Sequence, residues 1–577
     1  MSTPALQAAE EAQAKVEACL DARQSFRLEA GAGAGKTYSL VEALKKLIAE
    51  RGPSLLQAGQ QVACITFTEV ARNEIAQEVE DHPAILVQTI HAFCWAFMAP
   101  FQPALRELVA AKGGKAVDKI EAGGGVGEKP VQYDFGHFNV RDDEITLHHD
   151  DVPVFMAKLI ALPKFRRLLT QKFPVIFIDE YQDTNREFME AINTYMFGTE
   201  GSPLVGLFGD HWQTIHRSEY DLADYPIQAI DKGSNFRSVQ PIVNVLNVLR
   251  PELEQVVSDP RAPGEARFFH ANAFVGERTN TSHSKQDLLP DQARVVREKL
   301  MARLEREGWD RSRTKILMLT HNVLAAEQGY PGIAAAAAGW NDQFVKLEDP
   351  ALKMFAETVE PMCAAYTASN YGEMFAAYGE GPTLRAHEDK VSWRTDMDGL
   401  LKLRLEGNIG NVIDHLKATC RPPLSSRVLK REEDLIALKG NPVPEENESL
   451  QRHQRLREVP YTEVTELLKF IEGSTPFATQ HSVKGAEFDN VLVVLGGGWN
   501  HYNWPRFLEL VETKALDNKN TNGFLRARNL FYVAISRPRK KLAVLATQTL
   551  SENALKTAVK LFGANGVEQL PLEQLSG

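Results

Sequence analysis

The sequence predicts an α/β protein built on parallel sheets flanked by helices, and three stretches carry that prediction. "SFRLEAGAGAGKTYSLVEALKKLI" (25–48) passes from a short strand through an alternating Gly/Ala loop into an amphipathic helix beginning near Lys36. "FPVIFIDEYQDTN" (173–185) holds an apolar run, Val175 to Ile178, of the kind a strand buried on both faces shows, and ends it in Asp179 and Glu180. "LFGDHWQTIHRSEYDL" (207–222) does the same, passing from an apolar stub through Gly209 and Asp210 into a string of hydrogen-bonding side chains.

The first stretch matches G-x-x-x-x-G-K-[ST], with Ala30 in the first Gly position. Residues Ala30, Gly31, Ala32, Gly33, Ala34 and Gly35 are small enough for backbone N–H groups to ring nucleotide phosphates at a positive helix N-terminus. Lys36 then reaches the β and γ phosphates of ATP, and the Thr37 hydroxyl holds Mg2+. In the second stretch Asp179, at a strand's carboxyl end, is placed to hold the metal and Glu180 to polarise the attacking water. In the third, Asp210 and Gln213 have the spacing of a capping box.

A chain of 577 residues exceeds one core and implies roughly three to five folding units. No apolar run reaches the roughly 18 residues that span a bilayer, and the N-terminus is too polar for a secretory signal, so a cytoplasmic protein without membrane contact is expected. Cys19, Cys64, Cys94, Cys363 and Cys420 form no C-x-x-C pair, which argues against a disulfide framework and against a zinc or iron–sulfur site. The net charge of -11 excludes a general basic coat for nucleic acid and leaves room for a local positive groove.

Eight segments in fixed order resemble the UvrD/Rep/PcrA group of superfamily-one DNA helicases: "AGAGAGKT" (30–37), "TFTEVARNEI" (66–75), "QTIHAFC" (88–94), "IDEYQDTN" (178–185), "FGDHWQTIH" (208–216), "SNFRS" (234–238), "TQHSVKGAEFDNV" (479–491) and "NLFYVAISRPRKKL" (529–542). The resemblance implies two RecA-like P-loop motor domains that close on ATP while single-stranded or partly duplex DNA crosses their tops. It assigns the first to 1–97 plus 171–233 and the second to 234–329 plus 466–577, with accessory insertions at 98–170 and 330–465.

Under the same resemblance Arg237 and Arg537 reach the γ phosphate from the second domain, chemistry that suits a permanently charged, forked guanidinium. Phe236 stacks on adenine, Glu487 reaches the ribose, and Gln213 senses the γ phosphate. Gln13 stands for the adenine-reading glutamine at slightly long spacing. DNA contacts carried over are Thr66, Phe67, Thr68, His91 and Phe93 in the first domain, and Thr479, His481 and Lys484 in the second. Hydroxyls and N–H groups bind phosphates without reading sequence, and aromatic faces stack on any base. Core packing is the competing reading for Phe93 and Trp95.

Two departures stand out. Glu69 and Val70 replace the family's Asn-Lys, and His216, Arg217, Ser218 and Glu219 replace its Tyr, stacking Trp and Arg-Gly-Ala stretch, so Trp212, His216 or Tyr220 must supply any stacking platform. The first insertion predicts a glycine-rich loop before two hairpin strands in "VQYDFGHFNV" and "EITLHH". The second reads as helical, including "PGIAAAAAGW" and "LLKLRLEGNIGNVIDHLKATC", and ends in an exposed linker, "KGNPVPEENESLQRHQRLREVP".

A compact chain with no nuclease constellation after "KKLAVLAT" resembles the helicase subunit of the Gabija anti-phage system, which implies an OLD-family nuclease as partner. The expected activity is ATP hydrolysis coupled to 3′-to-5′ movement on single-stranded DNA, in phage defence or repair. The alternative is a nucleotide-gated sensor or assembly subunit that regulates a partner nuclease without unwinding by itself.

Overall fold

A computed structural model describes the chain except residues 1–2, 134–137, 215–224, 281–284, 319–324, 326–327, 338–342, 380–385, 446, 473–474, 476, 480–484, 497–501, 518 and 572–577. Two six-stranded, wholly parallel sheets organise it. The first contains β1 (Phe26–Ala30), β2 (Val62–Thr66), β3 (Ile85–Thr89), β7 (Val175–Asp179), β8 (Leu204–Gly209) and β9 (Gln228–Lys232), in the order β3-β2-β7-β8-β1-β9. Every residue of β2, β7 and β8 is buried, because helices cover both faces and leave no place for alternating polar residues.

The second sheet orders β14 (Phe477–Thr479), β13 (Thr314–Met318), β15 (Phe488–Leu495), β16 (Pro538–Ala546), β12 (Glu265–His270) and β17 (Val567–Gln569). Between the two lies a two-stranded parallel ribbon, β10 (Ser234–Asn235) with β11 (Val256–Val257). Strand order reverses beside β1 and β7, so the loops after β1, β7 and β8 open into one crevice at the carboxyl ends of the first sheet.

In the first insertion the hairpin is β5 (Asn139–Val140) with β6 (Ile145–Leu147), while β4 (Val131–Tyr133) lies parallel to β6. The hairpin expected of "VQYDFGHFNV" and "EITLHH" thus forms through the end of the first stretch, and its start adds a third, parallel strand that the sequence reading did not separate. A helix, Lys115–Ala122, also occupies the span between the two glycine clusters.

The second insertion is helical throughout its described elements. "LLKLRLEGNIGNVIDHLKATC" divides into helices His387–Glu406 and Ile409–Thr419 at Gly407, where Asn408 and Asn411 cap the new helix reciprocally. The exposed linker expected at its end is corrected too. Asn447 caps helix Glu448–Arg457, whose His453 is fully buried and hydrogen-bonds Glu432 through Nε2 at 2.7 Å. Of "PGIAAAAAGW", Pro331–Ala336 is helical and the remainder runs into undescribed residues. No helix among the described residues is long and apolar enough to cross a membrane.

Candidate nucleotide site between the two sheets

The strand β1 delivers the chain into the Gly/Ala loop, and helix α2 (Lys36–Gln57) leaves it. Gly33 and Gly35 both adopt φ +75°, a conformation that side chains rarely take, and Gly35 caps the helix in that state. The first N–H groups of α2 have no intrahelical partner and point into the crevice as an anion cradle.

The carbonyl side of the loop is held by residues that follow β9 and by the second half of the chain. Lys232 Nζ donates to Gly35 O at 2.8 Å, Ser234 Oγ to Ala34 O at 3.1 Å, Phe236 N to Gly33 O at 2.9 Å, and Asn235 Nδ2 to Ala32 O at 3.0 Å. Gln255 Nε2 also donates to Ala32 O, and the Tyr532 hydroxyl accepts the Ala32 N–H at 3.2 Å. A Cβ on Gly33 would sit 2.7 Å from that of Arg237, so the "NFRS" segment lies directly against the loop.

Lys36 Nζ ion-pairs with Glu180 Oε2 at 2.8 Å. Burial disfavours its ammonium, but the carboxylates of Glu180, Asp210 and Asp179 outweigh that and raise its pKa. Glu180 occupies left-handed backbone, φ +47°, at the turn after β7, a strained position of the kind that functional sites retain. Asp179 is buried at the end of that strand, and the Thr37 hydroxyl in the first turn of α2 has no protein partner among the described residues. A free hydroxyl and a buried carboxylate at the mouth of a phosphate loop fit a hard divalent cation with oxygen ligands.

From β8 the chain turns through Asp210, whose carboxylate accepts the Trp212 N–H at 3.1 Å and the Gln213 Nε2–H at 2.7 Å. Asp210 caps a single turn of 3₁₀ helix, His211–Gln213, but the expected capping box is corrected: the Asp210 N–H donates to Gln182 Oε1 at 3.1 Å, and Gln213 donates to the carboxylate instead of closing the box. Gln213 Oε1 in turn accepts from Arg537 Nη2 at 3.2 Å, which links this turn to the second half. Burial, then repulsion from Arg237, lowers the Arg537 pKa to about 9. Arg237 donates to Glu487 at 2.8 Å and to Ser536 O at 3.0 Å, and Arg539 also pairs with Glu487. The carboxylate expected at the ribose is thus engaged by two guanidinium groups in this state.

Two rings flank the start of α2, Phe236 at 48% exposure and Tyr38 at 65%. The Gln13 amide on helix α1 (Pro4–Asp21), which packs against β9, β10 and α2, is buried with no hydrogen-bond partner. A planar, hydrogen-bonding base suits that combination of open aromatic faces and an orphaned amide. Tyr38 was missed in sequence, although an aromatic directly after Gly-Lys-Thr is a readable signal.

Also missed was a buried charge cluster behind the loop. Arg250 donates to Asp210 at 2.6 Å and to Glu29 at 2.9 Å. Glu29 further accepts from the His211 N–H at 2.9 Å and from the Tyr181 hydroxyl at 2.5 Å. Burial works against the Glu29 carboxylate, yet His211, Arg250 and Tyr181 hold its pKa down at about 2. Glu29, Asp210 and His211 have the spacing of a metal group, but the Arg250 guanidinium already bonds both carboxylates and supplies the cation. Glu29, leading from "FRLEA" into the Gly/Ala loop, and Arg250, ending "IVNVLNVLR", were the available signals.

The DNA set fares less uniformly. Phe67 is exposed at the carboxyl edge of β2, Thr66 is buried with an unpartnered hydroxyl, and Thr68 caps helix Glu69–Glu78 by accepting from Ala71 N. Phe93 is corrected: it is 2% exposed and packs on Phe173, so it offers no face to a base. His91 stacks on His149 of the first insertion with ring centroids 3.4 Å apart. Burial and that neighbour lower its pKa to about 4, which leaves it neutral rather than a phosphate-binding cation at pH 7.

Trp212 is corrected as well. At 5% exposure it lies between the guanidinium groups of Arg250 and Arg528, 5.2 and 3.9 Å from its ring centre, with its edge on Tyr532. Thr479 ends β14, and its side chain, with His216, Tyr220, His481 and Lys484, lies outside the described residues.

Residues 13–219 match a model described as an AAA domain, and 444–549 match the UvrD-like helicase C-terminal domain. The chain is 23% identical to the Gabija protein GajB of Bacillus cereus over 91% of this chain and 93% of that protein. It is 22% identical to the ATP-dependent DNA helicase UvrD1 of Mycobacterium tuberculosis over 89% and 79% respectively. A shorter likeness, 30% over 20% of this chain and 10% of the relative, is to an ATP-dependent helicase/nuclease of Acetivibrio thermocellus. An ATPase-type loop in the first half, gripped by a second half of UvrD type, places the chain in the UvrD-like superfamily-one family of ATP-dependent helicases.

Proposed function

We propose that this protein is a motor that hydrolyses ATP and moves 3′ to 5′ along single-stranded DNA, serving anti-phage defence beside an OLD-family nuclease. The observation that carries the reading is the Asp210–Gln213–Arg537 relay, which joins the end of β8 to the second half at the nucleotide crevice. Lys36 and the loop N–H groups bind the phosphates, while Tyr38, Phe236 and Gln13 take the base. Thr37 and Asp179 would hold Mg2+, which would supply charge neutralisation at the bound phosphates. Incoming phosphates draw Lys36 away from Glu180, and the released carboxylate accepts a proton from the attacking water. Arg237 and Arg537 stabilise the charge that spreads over the transferring group, and Gln213 relays its loss to the turn beyond.

The likeness to GajB along nine-tenths of both chains supports the defence role, and the UvrD1 likeness supports DNA as the track. Displacement of streptavidin from oligonucleotides biotinylated at one end tests the polarity. Release from the 5′ end alone is expected, since a 3′-to-5′ motor runs toward it, and release from the 3′ end alone would overturn the assignment. The second reading, a nucleotide-gated protein that regulates its partner without moving on DNA, is favoured by the burial of Phe93 and Trp212. ATP hydrolysis with no streptavidin release from either end would support it.

A further inference from the structure

A second polar cavity lies at the opposite end of the first sheet. It encloses about 440 Å³ among the amino-terminal ends of β7 and β8, the last turns of α2 and the helix Pro163–Lys172. Three arginines line it, Arg23, Arg51 and Arg167, and no acidic residue does. In a chain with 76 acidic against 65 basic residues, three guanidinium groups around one cavity without a carboxylate is a pronounced local excess.

The donors are also uncommitted. The side chains of Arg23, Arg167, Thr170 and Ser202 make no hydrogen bond or ion pair among the described residues. Arg51 is held in place by one bond, from Nη2 to Leu20 O at 3.0 Å, which leaves its other N–H groups available. Arg23 is presented by left-handed backbone, φ +52°, just past the end of α1, where glycine is the low-cost residue. The wall is firm, because Gln60 Nε2 and the Gln61 N–H donate to Gln171 O and Lys172 O at 2.9 and 3.0 Å.

We propose that this cavity is a second anion site, which takes a small phosphate-bearing solute such as pyrophosphate or a free nucleotide. Guanidinium forks match phosphate oxygens, and Thr170 and Ser202 add neutral donors. The volume suits a small ligand rather than an extended chain. The site lies about 15 Å, one five-residue strand, from the ATP cradle. A ligand there would touch the strand ends that position Asp179 and Asp210 without entering that cradle.

Calorimetric titration of pyrophosphate into the full-length Lys36→Ala protein tests this, with an ATP titration of wild type and Lys36→Ala run beside it to judge the cradle separately. Saturable pyrophosphate binding is expected to persist in Lys36→Ala. It should weaken by about tenfold or more on adding Arg23→Gln and Arg167→Gln, two exposed and unpaired side chains whose loss leaves the melting temperature of the free protein unchanged. Absence of binding in Lys36→Ala, binding indifferent to both substitutions, or binding of an oligoglutamate peptide in place of pyrophosphate would each overturn the proposal. Should the double variant fold poorly, Arg167→Gln alone carries the same expectation.

Discussion

Glu29 shows how much one side chain can hold. Its carboxylate is pinned by Arg250, His211 and Tyr181, with a pKa near 2 against an ordinary 4.5. A depressed carboxylate stabilises the fold fully above about pH 4.5, and that contribution is lost as pH falls through about 2. Acid unfolding followed by tryptophan fluorescence should therefore be steeper for wild type than for Glu29→Gln across that window; matching profiles would contradict the assignment. Arg250→Met strands two buried carboxylates and should destabilise the protein by about 3–5 kcal/mol in urea denaturation. At the site itself, Lys36→Ala should abolish most ATP binding and Glu180→Gln should trap ATP unhydrolysed, both measurable by filter retention of labelled nucleotide. Near-normal turnover in either variant would remove that residue from the chemistry.

At the scale of elements, much of the first sheet was readable because buried parallel strands are continuous apolar runs, and β7 and β8 announce themselves that way. The Gly/Ala loop was readable for a different reason, since few residues permit φ near +75°. What escaped includes side chains outside any motif whose partners are remote in sequence. Arg250 and Glu29 lie 221 residues apart, and no local pattern pairs them. The helix Glu448–Arg457 escaped because its composition is polar, with only Leu450 and Leu456 as buried apolar anchors beside the His453–Glu432 hydrogen bond. In sequence Phe93 suits base stacking and core packing alike and Trp212 is a candidate stacking platform, and only tertiary packing shows both to be buried. The close approach of Gly33 to Arg237 gives an element-level prediction. Gly33→Ala should push the "NFRS" segment off the loop and slow ATP turnover about tenfold or more, while Arg539→Ala, an exposed partner of Glu487, should change it little. Equal rates in the two variants would show that the contact does not matter to hydrolysis.

At the scale of the molecule, neither half is a complete site. The first sheet provides the phosphate loop, Asp179 and Glu180, and the second half provides Arg237, Arg537, Gln255 and Tyr532 against that loop. Trp212, seated between Arg250 and Arg528, makes the turn after β8 part of the same joint. Any track that shifts one half against the other must then alter the Gln213–Arg537 contact, which is how a bound strand would reach the chemistry. The most direct measurement is the steady-state ATP hydrolysis rate of the purified chain with and without a single-stranded oligonucleotide. A rate that rises about tenfold or more with DNA, and falls to background in Arg537→Gln, is predicted. Appreciable hydrolysis indifferent to every strand tried would contradict the motor.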